Sequence, residues 1–288
     1  MVEGILCGAV PKAARSPKLA ALLRLLDDPS PLVRGAVAAE LAAFGGDLAA
    51  ELALLPVQPT PEEWRILREL TVPEARTRLL AAWPRTPSPP DDMAFLETGL
   101  SLLSRFINGP RRCPDLGGSL DTLAAEHALA RPEPDPASLA VFLFRERGLR
   151  PVNGVELRPV HADPAAILET GEGIPVALLC IYLLAGARLG FDIRACKWPG
   201  HALARFVRGG ELVVVDCANG GEMNETEAFL RMQGPSRDAA AAQLAFDVPA
   251  ATLLGRLIAH LSRLYRKAGE WENCALMLEL QRRLDTGK

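Results

Sequence analysis

The residues with the clearest capacity for chemistry are a histidine and an aspartate in a predicted β-hairpin. The first strand is predicted from His201 to Arg208, where apolar and polar residues alternate. Gly209-Gly210 is predicted to form the turn, and the returning strand is predicted from Glu211 to Asp216. A turn of even length places His201 opposite Asp216 or Ala218, and both registers leave His201 and Asp216 on the same sheet face. A carboxylate beside an imidazole fixes its tautomer and stabilises its protonated form. The hairpin therefore predicts the base and the orienting group of a catalytic triad.

The nucleophile that would complete this triad is absent from the expected place. In cysteine-dependent sites of this kind, the thiol lies at the N-terminus of a buried helix, where unpaired N–H groups and the helix dipole lower its pKa. Here the apolar helix is predicted to begin with Gly173-Ile174-Pro175-Val176, and none of these side chains can attack a carbonyl. Cys180 lies more than one turn further along, and we interpret it as a small core residue.

Two other cysteines and a second histidine leave alternatives open. Cys217 directly follows Asp216, and a bulge would be needed to bring its side chain to the same sheet face. Cys196 precedes His201 by five residues. Either thiol, activated by His201 and oriented by Asp216, would attack an amide or ester carbonyl. His161, together with His201 and Asp216, defines a third hypothesis, a metal-assisted hydrolase.

The segments around this hairpin are predicted to be mostly helical. The predicted helices are Met93 to Asn108, Leu116 to Ala130, Ser138 to Arg147, the apolar helix that ends at about Leu189, Leu253 to Lys267 and Trp271 to Leu284. A further strand is predicted from Phe191 to Lys197, and after Asn219-Gly220-Gly221 the chain is predicted to return to helices. We therefore predict an α+β protein in which one buried helix packs on a small antiparallel sheet, flanked by helical hairpins.

Composition shifts predict where the modules begin and end. Residues 1–84 are predicted to be helical hairpins, and the leucine pairs around Asp28-Pro29-Ser30-Pro31 resemble one HEAT repeat. A linker is predicted for 85–92, which is rich in proline and polar residues. The core is predicted to span 93–240, and 241–288 is predicted to form a C-terminal helix pair.

Several motifs in the second half of the chain resemble the SirB-type bacterial family. They are Gly173-Ile174-Pro175, Tyr182, Gly190, Pro199-Gly200-His201, Asp216 and Asn219-Gly220-Gly221. That family is described as a transglutaminase-like domain joined to tetratricopeptide-like helices, and the resemblance covers roughly Asp92 to Leu284. It implies a transglutaminase-like (papain-like) core in which Pro175 occupies the position of the nucleophilic Cys, while His201 and Asp216 match the retained His and Asp.

The chain also departs from the pattern of that family. Arg158-Pro159-Val160-His161-Ala162 stands where the family has an Asp-Pro-x-Asn-Ser stretch. Cys217 replaces the usual Pro after the Asp, and Ala202 replaces the usual Phe after the Pro-Gly-His motif. Because of these departures, the resemblance does not extend to an activity that the family shares.

Bulk properties narrow the classes of function. A net charge of −3 over 288 residues, with only short basic clusters, predicts no binding to nucleic acid. The longest apolar run, Ile174 to Ala187, is roughly half to two-thirds of the ~20 residues that span a bilayer. Met1 to Ser16 lacks the pattern of a signal peptide. Because that pattern is missing, we expect the six cysteines to be reduced thiols in the cytoplasm. They form no CxxC pair, and we expect no metal or other cofactor.

These observations lead to one functional expectation and an alternative to it. We expect a non-catalytic transglutaminase-like protein, a pseudoenzyme that acts as a scaffold for a protein or peptide partner, with His201 and Asp216 retained and Pro175 at the nucleophile position. The alternative is a cysteine-dependent amide or ester hydrolase, or an acyl transferase, in which Cys217 or Cys196 is the displaced nucleophile. A cysteine in place of Pro175 would have favoured the enzyme.

Overall fold

The computed structural model describes residues 17–45, 48–85, 92–112, 114–196, 198, 201–226, 230 and 237–286. Cys7, Cys113, Lys197, Pro199-Gly200 and residues 86–91 of the predicted linker lie outside this set. Taken over their described residues, two compact units make up the chain. One is Met1–Ala75 with Asn108–Cys113, and the other is Arg76–Ile107 with Pro114–Lys288.

The first unit is helical over its described residues. Its elements are α1 (Pro17–Leu23), α2 (Pro31–Ala42), α3 (Leu48–Ala53), the first part of α4 (Pro61–Ala82) and a short 3₁₀ turn, Gly109–Arg111. The carboxylate of Asp28 accepts the Ser30 N–H at 2.8 Å just before α2 begins at Pro31. Thr60 and Glu63 exchange side-chain to backbone hydrogen bonds of 2.7 and 3.3 Å, which is a capping box at the start of α4. The apolar sides of these helices enclose a leucine-rich core.

The second unit contains the remaining described helices. They are α5 (Asp92–Asn108), α6 (Leu116–Ala130), α7 (Pro136–Val141) with a π-helical continuation over Phe142–Glu146, α8 (Pro164–Thr170), α9 (Pro175–Arg188), α10 (Arg237–Ala245), α11 (Ala250–Lys267) and α12 (Trp271–Thr286). A 3₁₀ turn, Pro159–Ala162, precedes α8. Asp92 links two of these helices, because its carboxylate accepts the Ala250 N–H at the start of α11 at 3.0 and 3.1 Å.

A four-stranded antiparallel sheet forms the β part of this unit. Its strands, in spatial order, are β3 (Arg194–Ala195), β4 (Leu203–Arg208), β5 (Glu211–Asp216) and β6 (Glu222–Glu225). Two further short strands, β1 (Arg150–Pro151) and β2 (Glu172–Gly173), pair in parallel. Gly209 and Gly210, with φ of +61° and +84°, form the two-residue turn between β4 and β5. Such a turn has the twist that an antiparallel hairpin needs.

Helix α9 is the centre of the second unit. Every residue from Val176 to Gly186 is buried, so the helix is enclosed on all sides, as its continuous apolar sequence predicts. Its end is fixed by polar contacts: the Arg188 guanidinium lies 2.9 Å from Glu97 and 2.5 Å from Asp121. Gly190 follows with φ +72°, which ends the helix. The helix therefore holds its own N-terminus in a fixed place within the unit.

The predicted fold class is confirmed: the protein is α+β and mostly helical, with a small antiparallel sheet. Three details differ from the sequence prediction. The strand expected to begin at His201 begins at Leu203 as β4, so His201 precedes it. The strand expected over Phe191 to Lys197 is reduced to β3, with Cys196 bridging to Asp247 beyond it. The return to helices expected after Gly221 was wrong at its start, because β6 pairs with β5 there. The predicted module boundaries stay predictions.

Candidate functional site

The end of the β4–β5 hairpin brings His201 and Asp216 together. Leu203 pairs with Asp216 in the sheet, and His201 lies two residues before Leu203, outside the strand. The imidazole Nδ1 of His201 is 3.7 Å from Oδ2 of Asp216. This separation suits an ion pair when the imidazole is protonated, but it is longer than a hydrogen bond. The His201 side chain is 50% exposed and that of Asp216 22%, so the pair is open to solvent on the histidine side.

Asp216 has a second role in the turn that follows it. Its Oδ1 accepts the Ala218 N–H at 2.9 Å, and its backbone carbonyl accepts the N–H groups of Asn219 and Gly221 at 3.1 and 3.0 Å. The two carboxylate oxygens are thus divided: one holds the turn and the other faces His201. The same carboxylate therefore caps the turn and lies where it could orient the His201 imidazole.

The turn after Asp216 is anchored to α9 through aromatic side chains. Gly221 has φ +70°, and a Cβ at this position would collide with the Phe144 ring. The Phe144 ring in turn meets that of Tyr182 edge-on, with 6.0 Å between centroids. The Tyr182 hydroxyl donates to the Pro136 carbonyl at 2.8 Å. Through these contacts the buried helix fixes the position of the Asp216 turn.

The start of α9 has the backbone of a helix N-terminus without a nucleophile. Ile174 is extended at φ −73° and ψ 148°, and Pro175 is the first helical residue, as the sequence predicted. The Ile174 N–H donates to the His161 carbonyl at 2.8 Å, which ties this start to the preceding 3₁₀ turn. The first turn reads Pro-Val-Ala-Leu, so no side chain in it can form a covalent bond with a carbonyl.

The two thiols considered as displaced nucleophiles are both buried. Cys217 is 0% and Cys196 1% exposed. Burial, then the Asp216 charge and the nearby thiols of Cys180 and Cys196, raise the pKa of Cys217 well above its ordinary value. Burial also raises the pKa of Cys196 to about 11, although a hydrogen bond with the Arg205 guanidinium acts in the opposite direction. A reactive thiol needs an accessible, electropositive setting, and neither cysteine has one.

Cys180 and His161 are both buried, as expected for residues with a structural role. Cys180 lies inside α9, and burial raises the pKa of its thiol to about 12. His161 is 8% exposed, and its Nδ1 accepts the Arg158 N–H at 3.1 Å. Burial, followed by the Arg158 charge, lowers the pKa of His161. Among the described residues, no group of three or more His, Cys, Asp or Glu side chains is placed to hold a metal ion. The geometry therefore does not assemble the metal set of His161, His201 and Asp216.

Sequence comparison identifies the family of the second unit's core. Residues 115–258, half of the chain, match the model of the Transglutaminase-like superfamily. The chain belongs to this superfamily. Pro175, His201 and Asp216 all lie within the matched residues.

Individual relatives give a narrower comparison. Over 178 residues the chain is 28% identical to proteins named UPF0162 protein from two strains of Xylella fastidiosa, Temecula1 and 9a5c. The match covers 56% of this chain and 63% of each relative, so the chain spans less than two-thirds of their length. No solved structure matches the chain. Within the described residues, no helix is both long and apolar enough to cross a membrane.

Proposed function

We propose that this chain is a non-catalytic transglutaminase-like protein that serves as a scaffold for a protein or peptide partner. The observation that carries the proposal is the contrast at the site: His201 and Asp216 lie together, while α9 begins with Pro175. An acyl-transfer site needs a nucleophile within hydrogen-bond reach of its base. With a proline at the helix start, the remaining pair can position or bind a polar group of a partner, but it cannot form an acyl-enzyme.

The helical flank supports a binding role. Helix α12 exposes Trp271 at 66% and Leu278 at 57%, and Ala275 between them is also exposed. The spacing of i, i+4 and i+7 puts these three apolar residues on one side of the helix. Large apolar side chains in a row on a protein surface are typical of protein–protein contact sites. We infer that this side of α12 is part of the scaffold's binding surface.

The finer family relationships are part of the proposal. We propose that the chain is of the SirB type, that α11 and α12 are its tetratricopeptide-like pair, and that residues 1–84 are HEAT-like hairpins. The antiparallel packing of α11 on α12, with Ser262 Oγ 3.4 Å from Cys274 Sγ, supports the first two statements. A cytoplasmic location, expected because the sequence predicts reduced thiols, completes this proposal.

The reactivity of each cysteine tests the absence of catalysis. We would measure iodoacetamide alkylation by mass spectrometry between pH 6 and 10, for wild type, His201→Ala and His260→Ala, where the last removes a histidine from α11 as a matched control. Because burial raises the pKa of both Cys196 and Cys217, we expect both thiols to react slowly in the folded protein. In urea both should react as ordinary thiols with a pKa of about 8.5.

The same measurement can overturn the proposal. If Cys217 or Cys196 reacts rapidly well below pH 8.5 and slows about tenfold in His201→Ala but not in His260→Ala, the displaced-thiol enzyme is correct. If His201→Ala leaves every rate unchanged, no described thiol depends on the His–Asp pair, as the scaffold proposal requires.

A further inference from the structure

Helix α11 has one apolar side and one basic side. Its buried residues are Ala250, Leu253, Leu254, Leu257, Ile258, Leu261, Ser262 and Tyr265. Arg256, Arg263 and Lys267 lie on the other side, at spacings of seven and four residues, and Arg266 lies beside them. We call these four side chains the basic face. It extends about 16 Å along the helix, at a rise of ~1.5 Å per residue.

Three of the four positive charges on this face have no carboxylate partner within the part of the chain that the structure describes. Arg256, Arg263 and Arg266 form no ion pair among the described residues, and the Arg263 Nε donates to the Ala259 carbonyl of its own helix. Lys267 is paired with Glu156 at 2.7 Å. His260 lies between the arginines, and burial, with the Arg263 charge, lowers its pKa, so its imidazole is neutral near pH 7. The face carries unpaired positive charge on a chain whose net charge is −3.

An exposed apolar loop adjoins the end of the basic face. The Lys267–Glu156 ion pair holds the loop there, and the residues on both sides of Glu156 are exposed: Val155 at 59% and Leu157 at 41%. A surface that combines unpaired arginines with exposed aliphatic side chains complements a segment that carries both carboxylates and apolar groups.

We propose that the basic face of α11, with Val155 and Leu157 at its edge, docks an acidic protein segment that carries at least one large apolar side chain. The proposal rests on the proposed scaffold function for the nature of its partner, and it uses neither His201 nor Asp216. Charge complementarity selects a carboxylate-rich occupant. A nucleic acid fits less well, because the basic face is short, the net charge is negative, and the exposed aliphatic residues offer nothing to a phosphate backbone.

Fluorescence anisotropy with labelled synthetic peptides tests this docking on the full chain. The first probe is an amphipathic 18-residue peptide of glutamates and leucines, the second has glutamine in place of glutamate, and the third has serine in place of leucine. A single-stranded DNA 18-mer serves as a polyanion of another class. The variant is Arg256→Gln/Arg263→Gln/Arg266→Gln. Its matched control is Arg24→Gln/Arg68→Gln/Arg208→Gln, which removes three exposed arginines elsewhere.

We expect the acidic amphipathic peptide to bind more tightly than the other three probes. Its affinity should fall about tenfold in the α11 variant, since three surface ion pairs with the peptide are lost. The control variant should change it less than twofold, and added salt should weaken it. A charge exchange adds a check on folding: Arg256→Glu/Arg263→Glu/Arg266→Glu should prefer a peptide with lysine in place of glutamate.

Three outcomes would overturn the docking proposal. They are equal affinity in the α11 variant and wild type, an equal loss in the control variant, and tighter binding of the DNA than of the acidic peptide. None of these outcomes depends on a cysteine or on His201. The docking proposal can therefore fail while the non-catalytic site stands, and the reverse also holds.

Discussion

The His201–Asp216 end of the hairpin and the start of α9 differ in how strongly the fold constrains their side chains. At the hairpin end, the Asp216 carboxylate accepts the Ala218 N–H, and the turn that it caps packs against Phe144. At the helix start, Pro175 needs only to begin a helix, which proline does well. The carboxylate therefore has a structural reason to be present that does not depend on catalysis, whereas a nucleophile would not. A His–Asp pair alone is therefore weak support for an enzyme.

Among the variants that test this difference, we expect the largest loss of stability at Gly221. Gly221→Ala adds a Cβ against the Phe144 ring at a φ of +70°, so overpacking adds to backbone strain. We expect the free energy of unfolding to fall by about 3 kcal/mol, measured by urea denaturation followed by circular dichroism. Gly209→Ala is the matched control, because it has a φ of +61° but open space around its Cβ. It should cost about 1 kcal/mol.

Equal losses in the two glycine variants would show that the Phe144 contact does not hold the Asp216 turn. The His201–Asp216 end of the hairpin would then be no more constrained than the start of α9.

We expect smaller losses of stability at Asp216 and His201, and the loss should differ between the two residues. Asp216→Ala removes the acceptor of the Ala218 N–H, so we expect a loss of about 1 to 2 kcal/mol in the free energy of unfolding. Asp216→Asn keeps an oxygen acceptor and should lose less. His201→Ala should change stability by less than about 0.5 kcal/mol, since the side chain is half exposed and forms no hydrogen bond with Asp216. If His201→Ala costs as much as Asp216→Ala, the histidine also has a structural role.

The hairpin and the helix start could be predicted from the sequence because both depend on local signals. Gly209-Gly210 sets the turn length and so the register, which places His201 near Asp216. Gly173-Ile174-Pro175 marks a helix start through the fixed φ of proline. These signals require no knowledge of which distant segments meet.

What could not be predicted depends on contacts between distant segments. Strand β6 has the sequence Glu-Met-Asn-Glu, which lacks apolar alternation, and it is a strand because it pairs with the edge of β5. The packing of Gly221 on Phe144 joins residues far apart in sequence. The burial of Cys196 and Cys217 likewise follows from tertiary packing. The arginine spacing in α11 is visible in the sequence, but only the folded structure shows that no described carboxylate pairs with Arg256, Arg263 or Arg266.

The most direct test of whether Pro175 occupies the nucleophile position is the thiol pKa of a cysteine placed at the start of α9. Pro175→Cys places a thiol at the first residue of α9. Pro61→Cys is the matched control, because Pro61 also begins a helix and lies outside the residues that match the superfamily model. Each variant is combined with His201→Ala, and the pKa is read from the pH dependence of iodoacetamide alkylation.

If Pro175 occupies the vacated nucleophile position, the new thiol should have a pKa clearly below the ordinary ~8.5 and below that of Pro61→Cys. His201→Ala should raise the pKa of the Pro175→Cys thiol and leave that of Pro61→Cys unchanged. If both thiols titrate alike and neither responds to His201→Ala, the start of α9 is not the partner of the His201–Asp216 pair. The account of a transglutaminase-like site that lacks only its nucleophile would then be wrong.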